Sequence, residues 1–162
     1  MDFNLVSLII AFAGFLVTYA VYQLSKQQLR ESWLQTYGEI HTLFWNDSDI
    51  KKIRCCLGYE LPYAELRSLL IHYRELIENP SDQAKDLVED EYLLMDQLDK
   101  YLNLLERAGG IRPELRRHRD LWKALFFHYW LDLCMNPTRP ELVWYMNKHY
   151  QDLVKIHREV GV

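Results

Sequence analysis

Residues 3–24 read FNLVSLIIAFAGFLVTYAVYQL, twenty-two positions without a charged side chain. As a helix rising 1.5 Å per residue this stretch extends about 33 Å, enough to cross the hydrocarbon core of a bilayer. Asn4 and Gln23 lie near its ends, where headgroups can hydrate them, and Ser7 and Thr18 are polar but uncharged. Tyr19 and Tyr22 precede Lys26 and Arg30, the order expected where an interfacial aromatic belt meets a cationic flank. The tract therefore predicts a transmembrane anchor over residues 1–25. Its positive side, and with it the C-terminal remainder, belongs in the cytoplasm, with the N-terminus outside the cell's inner membrane.

A cleaved signal peptide is the competing reading, with Thr18-Tyr19-Ala20 as a weak cleavage site. Met1-Asp2 supplies no basic n-region, the apolar run exceeds an ordinary h-region, and the cations follow the run instead of preceding it. Within the anchor, Ser7, Ala11, Gly14 and Thr18 recur at steps of four, three and four, placing small side chains on one stripe. Such stripes let two helix backbones approach in lipid, which makes a homodimer through this face one hypothesis; the plain alternative is that Gly, Ala, Ser and Thr are common in membrane helices anyway.

The rest of the chain, 26–162, reads as all helix, because β-branched runs bounded by turn residues are missing. Leu29, Trp33, Tyr37, Ile40 and Phe44 advance by four, four, three and four along one amphipathic face that continues the anchor. Asn46-Asp47-Ser48-Asp49 supplies a stop and a new N-cap for a short basic helix, Ile50 to Leu57, closed by Gly58. Pro62 opens a helix bearing Leu66, Leu69, Leu70, Tyr73, Leu76 and Ile77, ended by Asn79-Pro80. An acidic-to-apolar helix follows from about residue 84 to Ala108, and Gly109-Gly110 ends it.

Pro113 starts a basic segment with Arg116, Arg117, His118, Arg119 and Lys123, which the acidic residues 82–99 are expected to neutralise. Ala124 to Met135 is apolar nearly all round and reads as the central core helix. Pro140 begins the last helix, with Leu142, Tyr145, His149, Leu153 and Ile156 on its inner stripe. Five tryptophans, Trp33, Trp45, Trp122, Trp130 and Trp144, fall at core spacings. The expected architecture is all-α: an N-terminal transmembrane helix, then a bundle of about five or six helices.

Nineteen Lys plus Arg against 23 Asp plus Glu give a net charge of −4, so no field exists to gather nucleic acid, and no nucleic-acid partner is indicated. Cys55, Cys56 and Cys134 are odd in number, with no CxxC pair, which argues against a disulfide framework or a structural zinc site. A redox role for the adjacent Cys55 and Cys56 is left open. No motif calls for a cofactor.

Two pairs are candidate catalytic residues. His128 and Asp132 stand four apart in the most apolar stretch of the body, where an imidazole and a carboxylate can bind a metal or move protons if His118, His149, Glu106 or Asp152 join them. Arg67 and His72, like Arg112 and His118, match the loose Arg-to-His spacing of a class of all-helical ribonucleases, in which Arg meets phosphate charge and His transfers protons. The plain alternative for each is a polar group satisfied inside the bundle.

Tyr101-Leu-Asn-Leu-Leu-Glu106, the break Gly109-Gly110-Ile111, Pro113 to Leu115 and Trp122 come in the order of a further pattern. The chain resembles a bacterial family of unknown function, built as one N-terminal membrane helix plus a cytosolic all-helical domain. The resemblance covers most of the chain and implies architecture without activity. It makes Asn103 and Glu106 the matching polar pair. The leading expectation is a non-enzymatic single-pass membrane protein whose cytosolic bundle binds an unknown protein partner or scaffolds an assembly. The alternatives are a membrane-associated effector enzyme, RNase-like or a metal-dependent hydrolase, and a small regulatory subunit of a membrane complex.

Overall fold

The computed structural model describes residues 3–80, 86–110 and 127–160, with side chains from Phe12 onward except those of Trp33, Glu60, Leu61, Phe127, His128 and Val160. Among the described residues there are seven helices and no strand: α1 (Phe3–Asn46), α2 (Ser48–Gly58), α3 (Glu60–Glu78), α4 (Glu89–Gly110), α5 (Phe127–Cys134), α6 (Pro140–His149) and α7 (Gln151–Val160). The chain divides into two units by contacts, residues 1–39 and Ile40–Val162. Residues 26–39, which the sequence assigns to the body, thus group with the N-terminal unit.

The N-terminal unit is one stretch of α1. From Phe12 to Leu24 its large apolar side chains are all half or more exposed. Among the described residues no helix is long and apolar enough to cross a membrane. The described apolar side chains begin at Phe12, and from there to Leu24 the tract is thirteen residues, roughly 20 Å of helix where a span needs about 20 residues.

In the second unit the end of α1 buries Ile40 and Phe44. Asp47 then turns the chain: its backbone is extended and its Oδ1 accepts the N–H groups of Asp49 (3.0 Å) and Ile50 (3.2 Å), capping α2 as the sequence foretells. Helix α2 packs on α3 and α4; α6 packs on α3; α7 packs on α4, α5 and α6. Leu94, Leu98, Tyr101, Leu102 and Leu105 of α4 face this centre, with Ile53 and Leu57 of α2 and Leu66, Leu69 and Leu70 of α3. The close approach of α4 to α7 needs Gly109, where a Cβ would collide with the Ile156 side chain.

Three expectations change. Helix α5 is not the enclosed centre: it buries Leu131 and Cys134 while Tyr129 is 54% exposed, and α4 takes the central place. The last helix is two, broken at Tyr150, where φ −129 and ψ 51 leave the helical region. The described tryptophans are peripheral: Trp45 is exposed, and Trp130 and Trp144 are half-buried. Their indoles have a polar edge and face guanidinium or ammonium groups, while Leu and Ile fill the interior. Residues 112–123, with Trp122, His118 and the basic segment, lie outside the described residues.

Gly109→Val should overpack the α4–α7 contact and cost about 1–3 kcal/mol. Gly110→Ala, where a Cβ meets open space, should leave the melting temperature unchanged or slightly higher. Thermal denaturation of the two variants checks the difference.

Candidate functional site

Arg67 and His72 do not converge. Arg67 and His72 lie on α3 five positions apart, about 140° around the helix. Arg67 Nε donates to Glu141 Oε1 of α6 at 3.0 Å, while His72 Nδ1 lies 3.0 Å and 3.2 Å from the carboxylate oxygens of Glu91 on α4. Glu91 Oε2 also accepts the Val88 N–H at 3.0 Å, so the same carboxylate caps the start of α4. Phosphate cleavage needs Arg and His on one substrate, and these two are committed to different carboxylates in different parts of the bundle.

The His128 side chain lies outside the described residues, and Asp132 is engaged elsewhere. His157 Nε2 of α7 stands 2.8 Å from Asp132 Oδ1, tying α5 to α7. Of the partners considered for that pair, Asp152 accepts from Lys155 Nζ at 2.8 Å, and His149 stacks in an aromatic cluster with Tyr145, ring centroids 4.7 Å apart. Among the described residues no group of three or more His, Cys, Asp or Glu side chains is placed to hold a metal ion. All three cysteines are free thiols, Cys55 exposed and Cys56 and Cys134 buried. Burial pushes the Cys56 thiol up, and it pushes Cys134 up to about 12, so neither presents a thiolate near neutral pH. Asn103 is exposed and Glu106 half-buried on α4.

Three polar clusters have no signature in spacing. Asp99 Oδ1 accepts the hydroxyls of Tyr145 at 2.6 Å and Tyr150 at 2.8 Å, and burial pushes both phenols up, with the Asp99 carboxylate adding to the effect. Arg54, 9% exposed, stacks against Trp45 at 4.4 Å and Phe44 at 5.0 Å, and its guanidinium donates to the Trp45 carbonyl at 3.2 Å. Lys100 Nζ of α4 bridges Asp47 (2.9 Å) and Asp49 (2.7 Å) at the α1–α2 turn, and Gln97 Nε2 reaches Asp49 at 3.1 Å. These groups sit 9 to 53 residues apart in the chain, so only the folded bundle assembles them.

A polar interior does exist around Tyr63 and Glu141. Arg139 donates to the Leu57 carbonyl at 2.7 Å and lies 4.5 Å over the Tyr63 ring. The Tyr63 hydroxyl and Glu141 Oε2 are buried without a hydrogen-bond partner among the described residues. Burial and the nearby Glu141 carboxylate push the Tyr63 phenol up to about 12, so this hydroxyl keeps its proton near neutral pH.

Among the described residues, α1 carries a long run of exposed apolar side chains. Phe12, Phe15, Leu16, Val17, Tyr19, Val21, Tyr22 and Leu24 are exposed, and at 100° per residue they cover all but a sector of about 100°, which Gly14 and Thr18 occupy. Thr18 Oγ1 donates to the Gly14 carbonyl at 2.8 Å, which satisfies its hydroxyl within the helix, and Gly14 has open space where a Cβ would stand. Ser7 and Ala11, the other half of the small stripe, lie outside the described side chains. No family model, curated protein or solved structure matches the chain.

Two stability measurements follow from the clusters. Asp99→Ala strands the Tyr145 hydroxyl and leaves that of Tyr150 only the backbone carbonyl of residue 99 at 3.4 Å, and should cost about 1–3 kcal/mol, read from chemical denaturation. The Lys100 ammonium beside Asp47 holds that carboxyl below the usual range, and the His72 imidazole does the same for Glu91. Depressed carboxyls favour the folded state above their unfolded pKa, about 4, and that contribution vanishes as pH falls through the lower folded value. Melting temperature should therefore drop on acidification from about pH 5, and Lys100→Met should make the drop shallower. An equal drop in both proteins would contradict the Lys100–Asp47 assignment.

Proposed function

We propose that the chain is a single-pass membrane protein whose helical body is a protein-interaction module, with residues 3–24 embedded in the lipid bilayer. The observation that carries this reading is the run of exposed apolar side chains around most of α1 from Phe12 to Leu24, with only the uncharged Gly14 and Thr18 in the remaining sector. A helix apolar around most of its circumference is unstable in water and must be enclosed by lipid or protein. The charge-free residues 3–11 lengthen the tract to that of a span, and Lys26 and Arg30 beyond it favour a cytoplasmic body by the positive-inside rule. Anchoring confines the body to the membrane and raises its effective concentration toward partners there.

The body supports binding more than catalysis. Arg67, His72 and Asp132 each meet an oppositely charged or titratable partner on another helix, an arrangement that ties helices together. No observation favours the hydrolase or ribonuclease alternative. The resemblance to the family with one membrane helix and a helical domain carries the same architecture and adds no activity.

Leu16→Lys with Val17→Lys places two charges at the centre of the proposed span, where each costs about 2.5–3.5 kcal/mol. The unaltered chain should sediment with membranes and resist high-salt washing, and the double variant should move largely to the supernatant. A fluorescent protein fused after Val162 should report a cytoplasmic C-terminus. Equal partitioning of the two chains would overturn the anchor, and an externally exposed reporter would overturn the orientation.

A further inference from the structure

The open side of α4 carries a second exposed apolar surface, in the body. Glu89, Tyr92, Leu93 and Asp96 are mutually one, three, four or seven positions apart and so form a single patch on the helix, with Val88 extending it at the N-terminal end. The buried side chains of the same helix, Leu94, Leu98, Tyr101 and Leu102, lie on the other side. Val88, Tyr92 and Leu93 are 61%, 57% and 53% exposed, a cluster of large apolar groups that nothing within α4 explains.

Among the described residues, the charges around them meet no cation. Asp47, Asp49, Glu78, Glu91, Asp132, Glu141 and Asp152 each meet a basic or imidazole group. Glu89 and Asp96 are exposed and make no ion pair or hydrogen bond among the described residues, and neither does Asp86 just before the helix. Their position near a helix N-terminus accounts for negative charge there. It does not account for the tyrosine, leucine and valine set among it.

We propose that this face docks a cationic amphipathic helix of a partner protein, its apolar side chains on Val88, Tyr92 and Leu93 and its Lys or Arg residues on Glu89 and Asp96. The inference rests on the interaction-module reading and names the partner's chemistry. Charge complementarity selects the occupant: an anionic lipid surface or a nucleic acid would be repelled, and an uncharged apolar helix would leave the carboxylates unpaired at the rim. The apolar contacts supply burial, and the carboxylates set orientation and salt dependence.

The test uses the full chain in nanodiscs of neutral phosphatidylcholine, titrated with a fluorescent amphipathic Leu/Lys peptide and with empty nanodiscs as the background. Controls are a scrambled peptide of the same composition and a Leu/Glu peptide of the same pattern. Binding of the Leu/Lys peptide should weaken with salt. It should fall about tenfold or more in Glu89→Lys with Asp96→Lys, and similarly in Tyr92→Ser with Leu93→Ser. Glu75→Lys, an exposed acid on α3, should bind as the unaltered chain does. These side chains are exposed, and circular dichroism confirms that each variant folds. Absence of binding, equal binding of the scrambled peptide, or α4 variants that bind like the unaltered chain would overturn the proposal. A chain that fails here but stays in the membrane refutes this face alone, whereas one that leaves the membrane refutes the reading beneath it.

Discussion

A large exposed apolar surface on a helix must be removed from water by something, and Phe12 to Leu24 of α1 present such a surface. Burial of apolar area is the dominant favourable term in folding, at roughly 25 cal/mol per Å². Left in water, Phe12 to Leu24 would forgo that term and invite aggregation. Thr18, bonded back to the Gly14 carbonyl, needs no water for its hydroxyl. A lipid environment makes both features ordinary.

The second unit obeys the opposite economy. Its apolar side chains meet one another around α4, and its ionisable groups tie helix to helix: Arg67 to Glu141, His72 to Glu91, His157 to Asp132, Lys100 to the paired aspartates. The turn from α1 into α2 is held from two sides, by Arg54 on the Trp45 carbonyl and by Lys100 on Asp47 and Asp49. Deep inside, the fully buried Tyr101 has the Cys134 thiol as its polar neighbour, and burial pushes its phenol up.

Local chemistry was legible in the sequence where one residue type acts within a few positions. Asp47 capping α2, Pro140 in the first turn of α6, and the Leu66–Leu69–Leu70 face follow from capping and helical period alone. Tertiary partnerships were not. Asp132 meets His157, which no spacing rule singles out, and the two hydroxyls on Asp99 come from 46 and 51 residues away. The Leu142-to-Ile156 stripe was read as one helix because its period survives the break at Tyr150, a local change of backbone that periodicity does not register. The apolar stretch before Met135 suggests a central helix, yet centrality depends on what packs around a helix, and α4 buries ten of its residues. Arg67 and His72 looked like a catalytic pair because sequence distance ignores azimuth.

The most direct measurement is amide hydrogen exchange on the full chain reconstituted in nanodiscs, resolved across α1. If lipid encloses the apolar tract, amides from Phe12 to Leu24 exchange far more slowly than those from Ser25 to Ser32, whose side chains are also exposed but mostly polar. Equal, fast exchange along both stretches would place the whole of this helix in water and contradict the membrane reading.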